Sequence, residues 1–322
     1  MSLAIRVLRF IERMRRPLPI PVSLPGSLRN GTSQDSVQWD LSDTTAQPVM
    51  KSLWWNPALF SVMIPSAASD LGYLPIEFSS PIGAEYGNAV LRWFPAQGLP
   101  ANTDAPACLV LHETGPTMIA AVSFARGLAK QGIHAFLLVS SGYGERSERA
   151  PENILDWYRA TIQEARRARD VIAALPTVSP TGISLLGISL GGFIASVAAA
   201  IDLAFADVFL ILCGVDIYAI LKSGNADARE WLERLYALGF SDDQIRTECN
   251  AIEPANVVHR LDRAQTHLFV GRYDRVVRPE YSDQLASKIG LPHGQYHRLR
   301  CSHYSGVIFL PWMVKTIAKQ IR

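Results

Sequence analysis

Gly187-Ile188-Ser189-Leu190-Gly191-Gly192 sets a serine between glycines at the spacing G-x-S-x-G. A serine hydroxyl is a weak nucleophile. It attacks an acyl carbon only when the backbone presents it on a sharp turn and a neighbouring base takes its proton. Glycine two positions to either side removes the clashes that such a turn would create. The spacing alone also fits a structural turn with an incidental serine. A base and an acid to orient it are therefore required elsewhere in the chain. His303, in Cys301-Ser302-His303-Tyr304-Ser305-Gly306, is the candidate base, with His297 and His293 as rivals. Asp274, in Gly271–Val277, is the candidate acid. Asp216 is its alternative, and Asp274 could instead cap a helix or pair with Arg272 or Arg275.

The elements that must position these residues follow from the hydrophobic pattern. Ala107–Leu111, His134–Val139, Ile183–Ile188, Val208–Cys213 and Thr266–Val270 are near-continuous apolar runs, as in strands buried on both faces. Tyr296–Leu299 is a further short strand, and Pro75–Ser80 with Asn88–Phe94 reads as a hairpin. Between the runs lie helical patterns: Thr117–Gln131, Asn153–Leu175, Gly191–Ile201, Pro279–Ile289 and Gly306–Ile321. Strand alternating with helix predicts an α/β fold with a mostly parallel, doubly wound sheet. In such sheets the reactive groups lie outside the C-terminal ends of the strands. Ser189, Asp274 and His303 each follow a predicted strand. The interval from Asp216 to His259 breaks the rhythm with helical sequence. It predicts a lid insertion at about 217–258.

An oxyanion formed at the serine needs N–H donors. The N–H of Leu190 opens the helix after the serine. A second donor should follow the first buried strand, in His112-Glu113-Thr114-Gly115-Pro116. Thr114 is the chosen position, with Glu113 and Gly115 as neighbours that could serve. His112 reads as a residue that shapes this loop rather than one that titrates in catalysis.

Of the 322 residues, 48% are hydrophobic and 19% charged, with a net charge of +2. That composition excludes disorder for the bulk of the chain and gives no ground for a nucleic-acid partner. Cys108, Cys213, Cys249 and Cys301 are far apart, which argues against a disulfide scaffold or a zinc site and for a reducing, cytoplasmic setting. No stretch reads as a membrane span.

Residues 1–74 differ from the rest. Leu3, Val7, Phe10 and Met14 fall on one helical face among five arginines between Arg6 and Arg16. Residues 3–16 would lie on an anionic membrane surface, or dock on their own domain or on a partner subunit. A Pro-rich arm follows, then a polar loop from Ser27 to Asp43, then a segment, Lys51–Ala68, whose Trp54, Trp55, Phe60 and Met63 should pack over the main domain.

From about residue 75 to 322 the chain resembles the α/β-hydrolase superfamily, esterase- and lipase-like. Gly187–Gly192 matches its nucleophile elbow, Gly271–Val277 its acid loop and Ser302–Gly306 its histidine loop. His112–Gly115 resembles its oxyanion segment, with Glu113 where glycine is usual, so a side chain is expected to crowd the approach. Ser141-Gly142-Tyr143-Gly144-Glu145-Arg146 resembles a loop found after the next strand in many esterases and related peptidases. The resemblance implies a serine hydrolase with no metal or organic cofactor, acting on a small-molecule acyl substrate. It would cleave a carboxylic ester through an acyl-enzyme on Ser189. The same three residues could serve an amide, peptide or thioester bond, and a non-catalytic binding protein on the same fold is the third alternative.

Overall fold

The computed structural model describes residues 27–32, 42–53, 59–64, 72–82, 86–100, 103–149, 152–175, 177–223 and 227–322. The amphipathic segment 3–16, the Pro-rich arm, and Trp54 and Trp55 lie outside them.

The strands are β1 (Ser27–Thr32), β2 (Leu59–Ile64), β3 (Leu74–Ser79), β4 (Asn88–Phe94) and β5 (Ala105–Leu111). They continue with β6 (His134–Val139), β7 (Val178–Ile188), β8 (Val208–Ile211), β9 (Thr266–Gly271) and β10 (Tyr296–Leu299). They form one sheet in the order β1-β2-β3-β4-β6-β5-β7-β8-β9-β10. β1 to β4 pair antiparallel, as do β4 and β6, and from β6 to β10 every pairing is parallel.

The two-residue period of a strand explains how one run serves two layers. Along β5, Leu109 and Leu111 enter one core, and Cys108 and Val110 enter the other. The first core holds α3 (Ile154–Ala173), α4 (Leu190–Asp202) and α8 (Pro279–Ile289). The second holds α2 (Ile119–Ala129) and α9 (Leu310–Ile321). Those two helices approach so closely that a Cβ on Gly127 would lie 2.9 Å from the Val314 methyls. The remaining helices are α1 (Gln47–Ser52) and three between β8 and β9: α5 (Ile217–Lys222), α6 (Asp227–Ala237) and α7 (Asp242–Asn250).

Several expectations shift. β1 falls in the stretch read as a polar loop, and β2 in the stretch read as a packing segment. Both extend the sheet through antiparallel pairing. α2 begins at Ile119 rather than Thr117, because Met118 adopts a left-handed backbone (φ 45°) and breaks the run. The closing helix begins at Leu310; Tyr304–Phe309 forms a 3-10 turn first. β7 begins at Val178, five residues before the apolar run, pairing Val178 with Ala105 across a register shift.

Buried ion pairs tie the layers. Arg146 makes a two-pronged pair with Glu164 at 2.7 and 2.8 Å, and also donates to the Val139 and Tyr86 carbonyls. Arg166 donates to Asp202 at 2.7 Å and to the Leu53 carbonyl at 3.0 Å, holding the end of α1 against α3 and α4. Burial of such pairs is offset by further hydrogen bonds: Ser80 also donates to Glu164, although the Arg146 Nε–H is left without a partner. All four cysteines are buried as free thiols. Burial raises each of their pKa values. No helix among the described residues is long and apolar enough to cross a membrane.

Burial acts oppositely on histidine. His112, His134 and His267 are pushed down to about 4 from the ordinary value near 6.5, chiefly by desolvation. The ring of His134 is held as an acceptor: its Nδ1 takes the Trp93 indole N–H at 3.2 Å and the Ala96 N–H at 3.0 Å. In the unfolded chain this ring takes up a proton below about 6.5; in the folded chain it does so only near 4. Its contribution to stability is therefore complete above pH 6.5 and is lost as pH falls towards 4. His134→Gln keeps an acceptor but does not titrate. Urea unfolding between pH 7 and 5 should show a shallower acid slope in this variant, by up to about 1.4 kcal/mol per pH unit. Equal slopes would show that His134 already carries its proton when folded.

Candidate active site

β7 ends at Ile188 and α4 begins at Leu190, so Ser189 must turn the chain in a single residue. It does so with φ 51° and ψ −118°, a conformation that L-residues seldom adopt. The flanking glycines make this possible. A Cβ on Gly187 would lie 2.2 Å from the Gly191 carbonyl oxygen, and one on Gly191 2.4 Å from the Leu111 carbonyl oxygen. A Cβ on Gly192 would meet the Cys213 side chain at 2.8 Å. The Ser189 N–H is tied to the Ile211 carbonyl at 2.7 Å, which anchors the turn to β8.

The serine hydroxyl lies 2.9 Å from His303 Nε2. His303 Nδ1 lies 2.7 Å from Asp274 Oδ2. The other carboxylate oxygen, Oδ1, accepts the N–H groups of Val276 at 2.8 Å and Val277 at 3.0 Å. Both oxygens are thus committed, and neither Arg272 nor Arg275 pairs with this aspartate. The Asp274 side chain is 2% exposed and that of His303 10%, so the pair is shielded from water. The three residues that the sequence singled out therefore converge at the C-terminal rim of the sheet.

The rivals have other places. Asp216 caps α5 by accepting the Ala219 N–H at 3.0 Å. His297 stacks on Phe269, ring centroids 4.4 Å apart, and His293 is exposed before β10.

Thr114 lines the same cleft as Ser189, Leu190 and His303. Glu113 does not line it. Its carboxylate turns to the start of α2 and accepts the N–H groups of Ala120 at 2.7 Å and Ala121 at 3.2 Å. Burial raises its pKa, while these helix-end bonds favour the charged form. The expected crowding by this side chain is thus relieved, because free donors at a helix start offer a carboxylate a better place. His112 bonds through Nδ1 to the Glu113 carbonyl at 2.7 Å, and its Nε2 accepts the Ser140 N–H at 3.3 Å. The first bond requires the proton on Nδ1, so the ring is a fixed, neutral strut. Tyr143 packs on it at 4.6 Å, and Trp157 holds the same loop by donating to the Ser141 carbonyl at 2.7 Å.

The cleft wall is otherwise largely hydrocarbon: Ile154, Leu155 and Phe193 from the main layer, Val276 and Val277 from the acid loop. Ile217, Ile220, Leu221, Ala228 and Trp231 of the helical insertion also line it, as do Tyr158 and Tyr304. Glu253 fixes the root of that insertion, accepting N–H groups from Asp216, Ile217 and Ala255 at 2.9 to 3.0 Å. The sequence alone did not single out Tyr158, Glu253 or Trp231, since an aromatic residue on an amphipathic helix, or a lone glutamate in a loop, carries no motif.

No protein-family model matches the chain, and no curated protein matches it in sequence. Solved structures do match. A 2,6-dihydroxy-pseudo-oxynicotine hydrolase superposes with TM-score 0.56 at 17% identity, over 73% of this chain and 65% of that one. The chain has the α/β-hydrolase fold. A Mycobacterium tuberculosis puromycin-hydrolyzing peptidase gives TM-score 0.57 at 16% identity, over 81% of this chain and 45% of that one. This α/β-hydrolase-fold chain thus spans less than two thirds of the length of either. Acetyl xylan esterase 1 from Thermoanaerobacterium sp. JW/SL YS485 matches over 89% of this chain and 92% of its own, with TM-score 0.56 at 13% identity.

The contacts of the elbow make a direct prediction for this fold. Gly191→Ala should lower stability by about 3 kcal/mol, because a methyl group at that point meets backbone rather than a movable side chain. Denaturant melts of the purified variant measure this. A variant as stable as the parent would mean that the elbow relaxes freely.

Proposed function

We propose that the chain is a serine hydrolase that cleaves carboxylic esters through an acyl-enzyme on Ser189. The observation that carries this is the continuous hydrogen-bonded path from the Ser189 hydroxyl through His303 to a buried, doubly braced Asp274. A merely structural serine needs no such path.

In the first half-reaction Ser189 Oγ attacks the acyl carbon as its proton passes to His303 Nε2. Asp274 accepts the Nδ1–H of His303, fixes its tautomer and stabilises the imidazolium. The carbonyl oxygen becomes an oxyanion held by the N–H groups of Leu190 and Thr114. Each such donor is worth roughly 3 kcal/mol of barrier. Collapse expels the alcohol, which takes the proton from His303. Water then repeats the sequence on the acyl-enzyme, with His303 as base, and releases the acid.

The apolar wall suits an apolar acyl or alcohol group. The insertion over residues 217–258 serves as the lid: five of its side chains face the serine's cleft. Amide, peptide or thioester cleavage would use the same attack and differ in the leaving group. The esterase and peptidase among the structural neighbours mark this as the comparison to make.

The test combines labelling and turnover. A fluorophosphonate probe should form an adduct on Ser189, and p-nitrophenyl esters should be hydrolysed faster than matched anilides or thioesters. Ser189→Ala should keep the parent's melting temperature and lose activity by a factor on the order of a million. Asp274→Asn should lose about ten-thousand-fold, because the imidazole is then held in the wrong tautomer. Full turnover by Ser189→Ala would end the proposal.

A further inference from the structure

Two compartments meet beside Ser189. The first is the largely hydrocarbon cleft described above, with a volume of about 90 Å³. The second, of about 360 Å³, adjoins it: Thr114, Ile154 and Trp231 line both. Ser189, Leu190 and His303 line only the first. The chemistry of the second is different. One face of α6, at the spacing i, i+1, i+4 and i+5, presents Glu230, Trp231, Arg234 and Leu235 to it. Ser147 and Glu152 line it from the segment between β6 and α3. Two carboxylates, a guanidinium and a hydroxyl, all on exposed residues, thus border one cavity. A hydrocarbon chain laid there would strip water from these charges and return nothing. A hydroxyl group both donates and accepts, so it replaces the lost water at the carboxylates and at the guanidinium alike. A charged group of either sign would meet a like charge as well as an opposite one. Tyr143 and Trp157, ring centroids 6.0 Å apart, offer aromatic surface to the carbon skeleton between such hydroxyls.

We propose that the substrate is an ester with two unlike halves: a small apolar one beside Ser189, and a larger, uncharged, hydroxyl-bearing one in the second compartment, joined past Trp231. The inference deepens the hydrolase proposal above and rests on it. Thr114 stands where the compartments meet, so an ester group held at Ser189 has one half within reach of each. The polar compartment has the greater volume and takes the larger half. Glu230 and Arg234 then act on the substrate away from the bond being cleaved. Sites built to hydrogen-bond a hydroxyl discriminate against the analogue that lacks it.

The experiment compares kcat/KM within two pairs of esters on the full-length protein. In one pair the acyl half carries the hydroxyl: p-nitrophenyl 6-hydroxyhexanoate against p-nitrophenyl hexanoate. In the other the alcohol half carries it: glyceryl monobutyrate against propyl butyrate. The hydroxylated member of one pair should be preferred about tenfold, the worth of one net hydrogen bond. The pair that shows the preference reads which side of the ester bond enters the second compartment. Glu230→Ala combined with Arg234→Ala removes two of the charges, and Ser147→Trp fills the space instead. Each variant should bring the preference to about one. These side chains are exposed, so both variants should melt with the parent. A purely structural role would lower the melting temperature and leave the preference unmoved. A preference absent from both pairs, or one that survives in either folded variant, overturns the inference while ester turnover stands. No turnover of any ester, together with no fluorophosphonate adduct on Ser189, overturns the hydrolase proposal and this inference with it.

Discussion

The site depends on one residue held where its backbone does not want to be. Ser189 occupies a positive-φ conformation that costs of order 1–3 kcal/mol for a residue with a side chain. The surrounding contacts over-determine it. β7 enters the turn hydrogen-bonded to β8, α4 leaves it packed against Leu111 and Cys213, and the glycines at 187, 191 and 192 admit that packing only because they lack a Cβ. Release of the strain would rotate the hydroxyl away from His303, so the strain and the 2.9 Å contact persist together.

Around that turn the support is arranged in shells that share few parts. Asp274 and His303 come from loops after β9 and β10, and Asp274 is braced by the backbone of its own loop. The loop after β5 is braced from another direction. His112 links it to Ser140, and Tyr143 and Trp157 steady the segment after β6. The buried pair of Arg146 and Glu164 in turn fixes that segment to α3. Glu113 ties the same loop to α2. A change in one support can therefore be absorbed without moving Ser189, whereas a change at the elbow cannot.

Much of this was legible in the sequence, for stated physical reasons. Continuous apolar runs such as His134–Val139 have little option but to be strands buried on both faces, and strand ends are where such a sheet exposes reactive groups. That logic selected Ser189, Asp274 and His303 before any geometry was available. The rest depended on tertiary context. Ser27–Thr32 is polar and contains a glycine, so its strand character arises from pairing with β2 rather than from composition. Glu113 looked like an obstacle because its partners, the N–H groups of Ala120 and Ala121, become neighbours only once α2 starts late. Tyr158 looked like one more aromatic residue on an amphipathic helix; only burial without a partner sets it apart.

The cysteine behind the elbow has a practical consequence. The Cys213 thiol lies against Gly192, sealed from solvent, and burial keeps it protonated. A maleimide or iodoacetamide can reach it only after β8 and α4 part, since the thiolate is the reacting species. Alkylation at this sulfur therefore works as a native stopwatch for opening of the layer behind Ser189. Once modified, the bulky adduct would wedge the two elements apart and prevent the elbow from re-forming.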